Sequence, residues 1–189
     1  GTLFKLMVWG NRNGFFYVLN RETGRFLSGR PFVEVNWAAG LDDSGRPIQT
    51  PQPPGEPTFP GVQGGTNWYS PSYSPATGLF YLSAWENYGS VFTPTDDPDE
   101  YREGQLYLGG MPLPPIAGAA VPPALRRGHV NRWTGATGTG AVIALDPRTG
   151  QQQWKFEMSD VTTSGILTTA SHMLFTGGRE GYFYAFDAR

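Results

Sequence analysis

Three stretches of the chain carry one pattern: GFFYVLNRETG at 14–24, GAVIALDPRTG at 140–150 and GYFYAFDAR at 181–189. Each opens on glycine, runs through five apolar or aromatic residues and reaches Asn20, Asp146 or Asp187 at the same position. A short apolar run rich in β-branched and aromatic types, bounded by turn residues, reads as a strand. Asp or Asn then closes the turn by accepting main-chain N–H groups, and the glycine four residues later takes φ > 0 without steric cost. Asp146 and Asp187 lie 41 residues apart, and Asn20 and Asp146 lie 126 apart, three times 42.

A period near 40 residues in strand–turn–strand units is the mark of a β-propeller. The same spacing places two further copies near positions 62 and 104, diluted by loops. Other runs of similar length and composition are Leu3–Trp9, Gly78–Trp85, Trp154–Met158, Gly165–Ser171 and His172–Thr176, and GGREG at 177–181 reads as a hairpin turn. Helical periodicity is hard to find. The fold class is therefore all-β, a partial β-propeller of about three to four four-stranded antiparallel blades with long irregular loops. Residues 1–189 read as a single partial propeller domain, truncated at both ends, because the third copy stops about two residues short of the glycine that follows in the second. The long loops span about 42–66, with five prolines between Thr50 and Val62, and about 93–137. The second loop holds an acidic run, Asp96, Asp97, Asp99 and Glu100, which reads as a solvated loop because it lacks the glycine and terminal glutamate of a calcium loop.

Composition removes several function classes. A net charge of -2 and the absence of a basic run leave no electrostatic footprint for nucleic acid. No apolar stretch reaches the roughly 18 residues of a membrane span, and Gly1 is not followed by a signal-peptide pattern. The chain has no cysteine, which excludes disulfides, thiol chemistry, cysteine-ligated zinc and a covalent c-type haem within it. His129 and His172 stand alone, so no metal site is read from them. Thr162, Thr163 and Ser164 have no paired base and do not read as nucleophiles.

Three motifs carry a resemblance that covers essentially the whole chain. ALDPRTGQQQW at 144–154 resembles the tryptophan-docking motif A-x-D-x-x-x-G-x-x-x-W, with Trp154 stacking toward the next blade and its indole N–H donating to backbone. The first copy is degenerate, with Asn20 for Asp and Ser28 where the tryptophan would stand. NRNGFFYVLNR at 11–21 and GGTNWYSPSY at 64–73, followed by TGLFY at 77–81, resemble further segments of the pyrroloquinoline quinone (PQQ)-dependent, or quinoprotein, alcohol and methanol dehydrogenases. The resemblance is to the C-terminal part of their eight-bladed propeller domain. It implies hydride transfer from a small alcohol to PQQ, with calcium beside the cofactor.

On that resemblance, Arg12 matches the cation that contacts the reactive quinone oxygens, where a fixed guanidinium stabilises charge gained on reduction. Asn67 matches an asparagine that hydrogen-bonds the cofactor; the alternative is an Asx turn before Trp68. Trp68 is placed at the cofactor edge. Trp9, Trp37, Trp85, Trp133 and Trp154 are assigned to packing. Methanol dehydrogenase relatives carry another cofactor tryptophan just before the strand at Gly165, where this chain reads Val161, Thr162, Thr163 and Ser164. The resemblance assigns the aspartate base and the calcium ligands to earlier blades, so the chain has cofactor-binding but no catalytic or metal residues and is inactive alone. It further implies a periplasmic location, a redox partner for the parent protein, and self-association of this piece through open propeller edges. The rival is a non-catalytic propeller scaffold of the same repeat that binds other proteins; Arg12 together with Asn67 discriminates, since a scaffold has no use for them near the axis.

Overall fold

The structure, a computed structural model, describes residues 5–53, 55–94, 101–107, 110–112 and 138–189. The acidic run at 96–100, His129 and Trp133 lie outside the described residues.

Three antiparallel sheets form the body. The first holds β1 (Leu6–Gly10), β2 (Phe15–Asn20) and β3 (Phe26–Pro31). A hairpin of β4 (Ala38–Leu41) and β5 (Pro47–Gln49) follows. The middle sheet is a four-stranded meander of β6 (Ser72–Ser74), β7 (Leu79–Glu86), β10 (Thr139–Leu145) and β11 (Gln152–Glu157). Between β7 and β10 the chain makes a second hairpin, β8 (Phe92–Pro94) with β9 (Gly110–Pro112). The last sheet holds β12 (Leu167–Thr168), β13 (Met173–Gly177) and β14 (Phe183–Asp187).

The two central strands of the middle sheet, β7 and β10, are buried on both faces, which is why they read as largely apolar runs and not as apolar–polar alternation. Successive side chains of a strand point to opposite faces. Phe80, Leu82 and Ala84 of β7, with Ala141, Ile143 and Leu145 of β10, therefore pack on Phe16 and Val18 of the first sheet. Tyr81, Val142 and Ala144 face the other way and pack on Leu174, Tyr184 and Phe186 of the last sheet. The three sheets are thus stacked face to face as consecutive blades. The far face of the first sheet is covered in part by the hairpin segment, where Val35, Trp37, Ala38 and Leu41 pack over Phe15 and Tyr17.

The repeated pattern falls on β2, β10 and β14, each the strand before the outermost position of its blade. Its turn chemistry is as read: Glu22 N–H donates to Asn20 Oδ1 at 2.8 Å, Arg148 N–H to Asp146 Oδ1 at 2.9 Å and Arg189 N–H to Asp187 Oδ1 at 3.0 Å. The copies anticipated near 62 and 104 are absent among the described residues, where both positions lie in turns. Asn20 to Asp146 is one blade step. The two hairpins and their connections fill the extra length, so a spacing that is a multiple of the period does not count blades here.

In a meander, alternate connections share an end. The β1–β2 turn, the β13–β14 turn and the segments leading into β6 and β12 meet at one end, here the upper; the β2–β3, β6–β7, β10–β11 and β12–β13 turns meet at the lower.

Candidate functional site

Arg12 sits at the apex of the β1–β2 turn. Asn11 and Asn13 shape that turn: Asn13 N–H donates to Asn11 Oδ1 at 2.9 Å, Phe15 N–H to Asn13 Oδ1 at 3.0 Å, and Gly14 takes φ +94°. The Arg12 side chain is exposed and its guanidinium donates to Val62 O. Its own carbonyl accepts Gly65 N–H at 3.0 Å. Contact with the 62–68 loop is so close that a β-carbon on Gly64 would lie 2.2 Å from Arg12 Cγ, at a φ of +82°, so only glycine serves there.

Asn67 closes the same loop. Its Nδ2 donates to Gln63 O at 3.0 Å, and its Oδ1 accepts Trp68 N–H at 2.9 Å. The loop is pinned to the middle sheet by Trp85 N–H to Gly65 O at 2.8 Å and by Thr66 Oγ1 to Ser83 O at 2.7 Å. Trp68 is 80% exposed, the most open of the described tryptophans, with its ring 5.2 Å from that of Tyr69. Tyr69 is buried and stacks on fully buried Trp85, whose indole N–H donates to Thr162 O. A cleft of about 200 Å³ runs alongside, lined by Trp9, Thr66, Asn67, Trp68, Tyr69 and Phe80 among others.

Burial pushes the Tyr69 hydroxyl pKa up, against the opposing pull of the Arg12 and Arg179 charges. Burial does the same to Tyr88, opposed first by its bond to Ser90 and then by contact with the Gln63 backbone and the Arg12 charge. The site is therefore cationic at its rim and aromatic in its floor. It can accept a flat, anionic, hydrogen-bond-accepting ligand.

The structure brings Arg12, Asn67 and Trp68 into one knot of chain at the upper end. It gives Asn67 the Asx-type role that was the alternative in sequence, since both ends of its amide hold its own loop. Two residues of this neighbourhood went unread in sequence. Tyr69 follows Trp68 directly and has no distinguishing spacing. Arg179 does have a signal: it stands two residues before Gly181, as Arg12 stands two before Gly14. Of the tryptophans assigned to packing, Trp85 is fully buried, Trp37 and Trp154 are half-buried, and Trp9 is 51% exposed. A second cavity, about 510 Å³, opens on the outward face of the last sheet between Leu167, Phe175 and Phe183 and is apolar.

No protein-family model matches the chain. It is 33% identical over 201 residues to quinoprotein alcohol dehydrogenase PedH of Pseudomonas putida, covering 100% of this chain and 30% of that protein. It is 35% identical over 196 residues to 1-butanol dehydrogenase (cytochrome c) of Thauera butanivorans, covering 98% of this chain and 26% of that protein. Among solved structures it is similar to quinohemoprotein alcohol dehydrogenase ADHIIG of Pseudomonas putida, with a TM-score of 0.81 and 27% identity over 100% of this chain and 28% of that one. It is also similar to a europium-containing methanol dehydrogenase, with a TM-score of 0.72 and 28% identity over 100% of this chain and 31% of that one. The chain spans less than a third of the length of each of these relatives.

Proposed function

Over its whole length the chain is homologous to the C-terminal part of the PQQ-dependent quinoprotein alcohol dehydrogenases, and on that premise we propose that it is the C-terminal portion of such an enzyme, in which it supplies part of the PQQ site. The observation that carries the reading is the Arg12 knot. A guanidinium is held at the upper end of a blade by a loop that only Gly64 allows, beside an exposed indole and over an aromatic floor.

The residues fit the cofactor in kind. PQQ is flat, aromatic and anionic. One of the five guanidinium N–H groups of Arg12 goes to Val62 O, which leaves donors for quinone oxygens. Trp68 offers an indole face. When bound, PQQ supplies the hydride acceptor. Arg12 presents a fixed positive charge where negative charge accumulates, which favours the reduced over the oxidised form. Asn67 holds the loop in place and keeps one amide proton only weakly engaged, 3.4 Å from Gln63 Oε1. The base that takes the alcohol proton and the calcium ligands belong to the remainder of the parent, in this reading, and the chain alone does not turn over. The parent acts in the periplasm on a small alcohol and passes electrons to a redox partner. No helix of the described residues is long and apolar enough to cross a membrane. Isolated, the chain self-associates to cover its outward blade faces, where Trp9 is 51% and Phe183 77% exposed.

The test is Arg12→Ala in the full-length parent. Turnover in dye-linked alcohol oxidation should fall about ten- to a hundredfold, more than PQQ retention does, because one charge-assisted contact is worth roughly 1.5–3 kcal/mol and meets most charge on reduction. Unchanged turnover would favour the scaffold reading.

A further inference from the structure

We propose that Arg179 is a second cationic contact for the same ligand, the counterpart of Arg12 on the other side of the middle blade, engaging a carboxylate of PQQ. This rests on the PQQ reading above.

The argument starts from the repeat. Arg12 and Arg179 each precede by two residues a left-handed glycine, Gly14 at φ +94° and Gly181 at φ +92°. Each of those glycines closes its turn with an N–H bond three residues back, Gly14 to Asn11 O at 3.0 Å and Gly181 to Gly178 O at 3.2 Å. The two turns connect corresponding strands, β1 to β2 and β13 to β14, and both lie at the upper end. The middle blade stands between them, so the two arginines flank it from either side.

What stands between them is the floor of the site. Thr162 Oγ1 donates to Gly177 O at 2.8 Å, and Thr162 O accepts the Trp85 indole N–H, which ties the base of the Arg179 turn to the ring under Tyr69. On the other side, the Arg12 turn holds the loop that leads directly into Tyr69. Tyr69 feels both guanidinium charges. Its hydroxyl makes no hydrogen bond among the described residues. Glu180, the carboxylate next to Arg179, is turned toward the sheet, where it accepts Tyr184 O–H and Asp160 N–H. Two guanidiniums and a phenol around an aromatic floor suit a ligand with separate acidic groups on a flat frame. PQQ carries three carboxylates on such a frame.

The experiment titrates PQQ into the stripped full-length parent, following tryptophan fluorescence at low and high ionic strength. The wild type, Arg179→Gln, Arg179→Lys and Arg12→Gln are compared. Arg179→Gln should weaken PQQ binding about 3- to 10-fold at low salt, the range of a solvent-screened ion pair. Its affinity should also depend less on salt, while Arg179→Lys restores most of the loss. Far-ultraviolet circular dichroism checks the fold of each variant. If Arg179→Gln disturbs it, the Arg179→Lys titration and its salt dependence decide. Wild-type affinity and salt dependence in Arg179→Gln, with Arg12→Gln weakened, overturns the proposal and leaves the PQQ reading standing. Wild-type behaviour in both variants overturns the two together.

Discussion

On one face of the middle sheet, Leu82, Ile143 and Leu145 meet Phe16 and Val18 in a contact made of hydrocarbon. On the other, Tyr81 meets the Trp154 ring at 5.7 Å, and Phe156 packs on Phe186 at 4.7 Å and Tyr184 at 5.1 Å. The second face is also tied by polar groups. Tyr81 O–H donates to Ala188 O at 2.6 Å, Trp154 Nε1–H reaches the same oxygen at 3.4 Å, Ser83 Oγ–H donates to Ser164 O at 2.7 Å, and Ser72 and Thr168 hydroxyls meet at 2.7 Å. The counterpart of Trp154 at the first interface is Ser28. Ser28 pairs with Val18 as Trp154 pairs with Ala144, each just before a bulge in the same ladder position. Its hydroxyl reaches Arg148 O at 3.4 Å. One blade contact is therefore held mainly by apolar packing, with one long, exposed bond, and the next by packing plus several directed bonds. Where the docking tryptophan is lost, apolar packing takes over.

That contrast predicts different sensitivities. Phe16 is fully buried with its ring 5.4 Å from Phe80. Phe16→Ala should cost about 3–5 kcal/mol in urea unfolding of the intact parent, as a large core truncation does. Trp154 is half-buried, and Trp154→Ala should cost less, about 2–3 kcal/mol on the same scale. The reverse order would mean that the tied interface, not the hydrocarbon one, dominates stability. At the next level down, Tyr81→Phe keeps the ring and removes the short bond to Ala188 O. A cost of about 1–3 kcal/mol is expected, because a buried carbonyl loses its better donor. Ser28→Ala removes the longer, more exposed bond and should stay within about 0.5 kcal/mol. Equal effects of Tyr81→Phe and Ser28→Ala would erase the distinction between the two contacts.

The same comparison shows what was legible in the residues. Turn chemistry was, because Asn20, Asp146 and Asp187 act within two or three residues of themselves, and Gly24 and Gly150 take φ +72° and +68° as their pattern requires. The two-faced burial of β7 and β10 was too, as apolar runs. The two further copies that the spacing placed near 62 and 104 were not there among the described residues, since inserted hairpins lengthen the chain without adding to the stack. At the candidate site, the turn around Arg12 could be read from its motif. The hold of Asn67 on Gln63 depends on where that residue lies in space, and the placing of the Arg12 and Arg179 turns at one end depends on the stacking of three sheets. Both are products of long-range packing, to which a single sequence gives no direct access.

A stabilising change is expected from comparing the two lower-end turns that precede β7 and β13. Gly78 precedes Leu79 at φ +71°, and His172 precedes Met173 at φ +62°. The two residues hold the same place in neighbouring blades. Glycine adopts the left-handed region freely, whereas a residue with a β-carbon pays about 1–2 kcal/mol there. His172 adds a second penalty, for its Nδ1 is buried without a hydrogen-bond partner among the described residues. Against these stands the greater backbone entropy that glycine loses on folding, about 0.5–1 kcal/mol. His172→Gly should therefore stabilise the intact parent by about 0.5–1 kcal/mol, seen as a higher urea midpoint at unchanged slope. Gly78→His, the reciprocal change, should destabilise, because it imports the same strain into a turn built for glycine. If His172→Gly instead lowers the midpoint, the imidazole supplies a contact that outweighs the strain, and the two turns are equivalent in shape but not in what holds them.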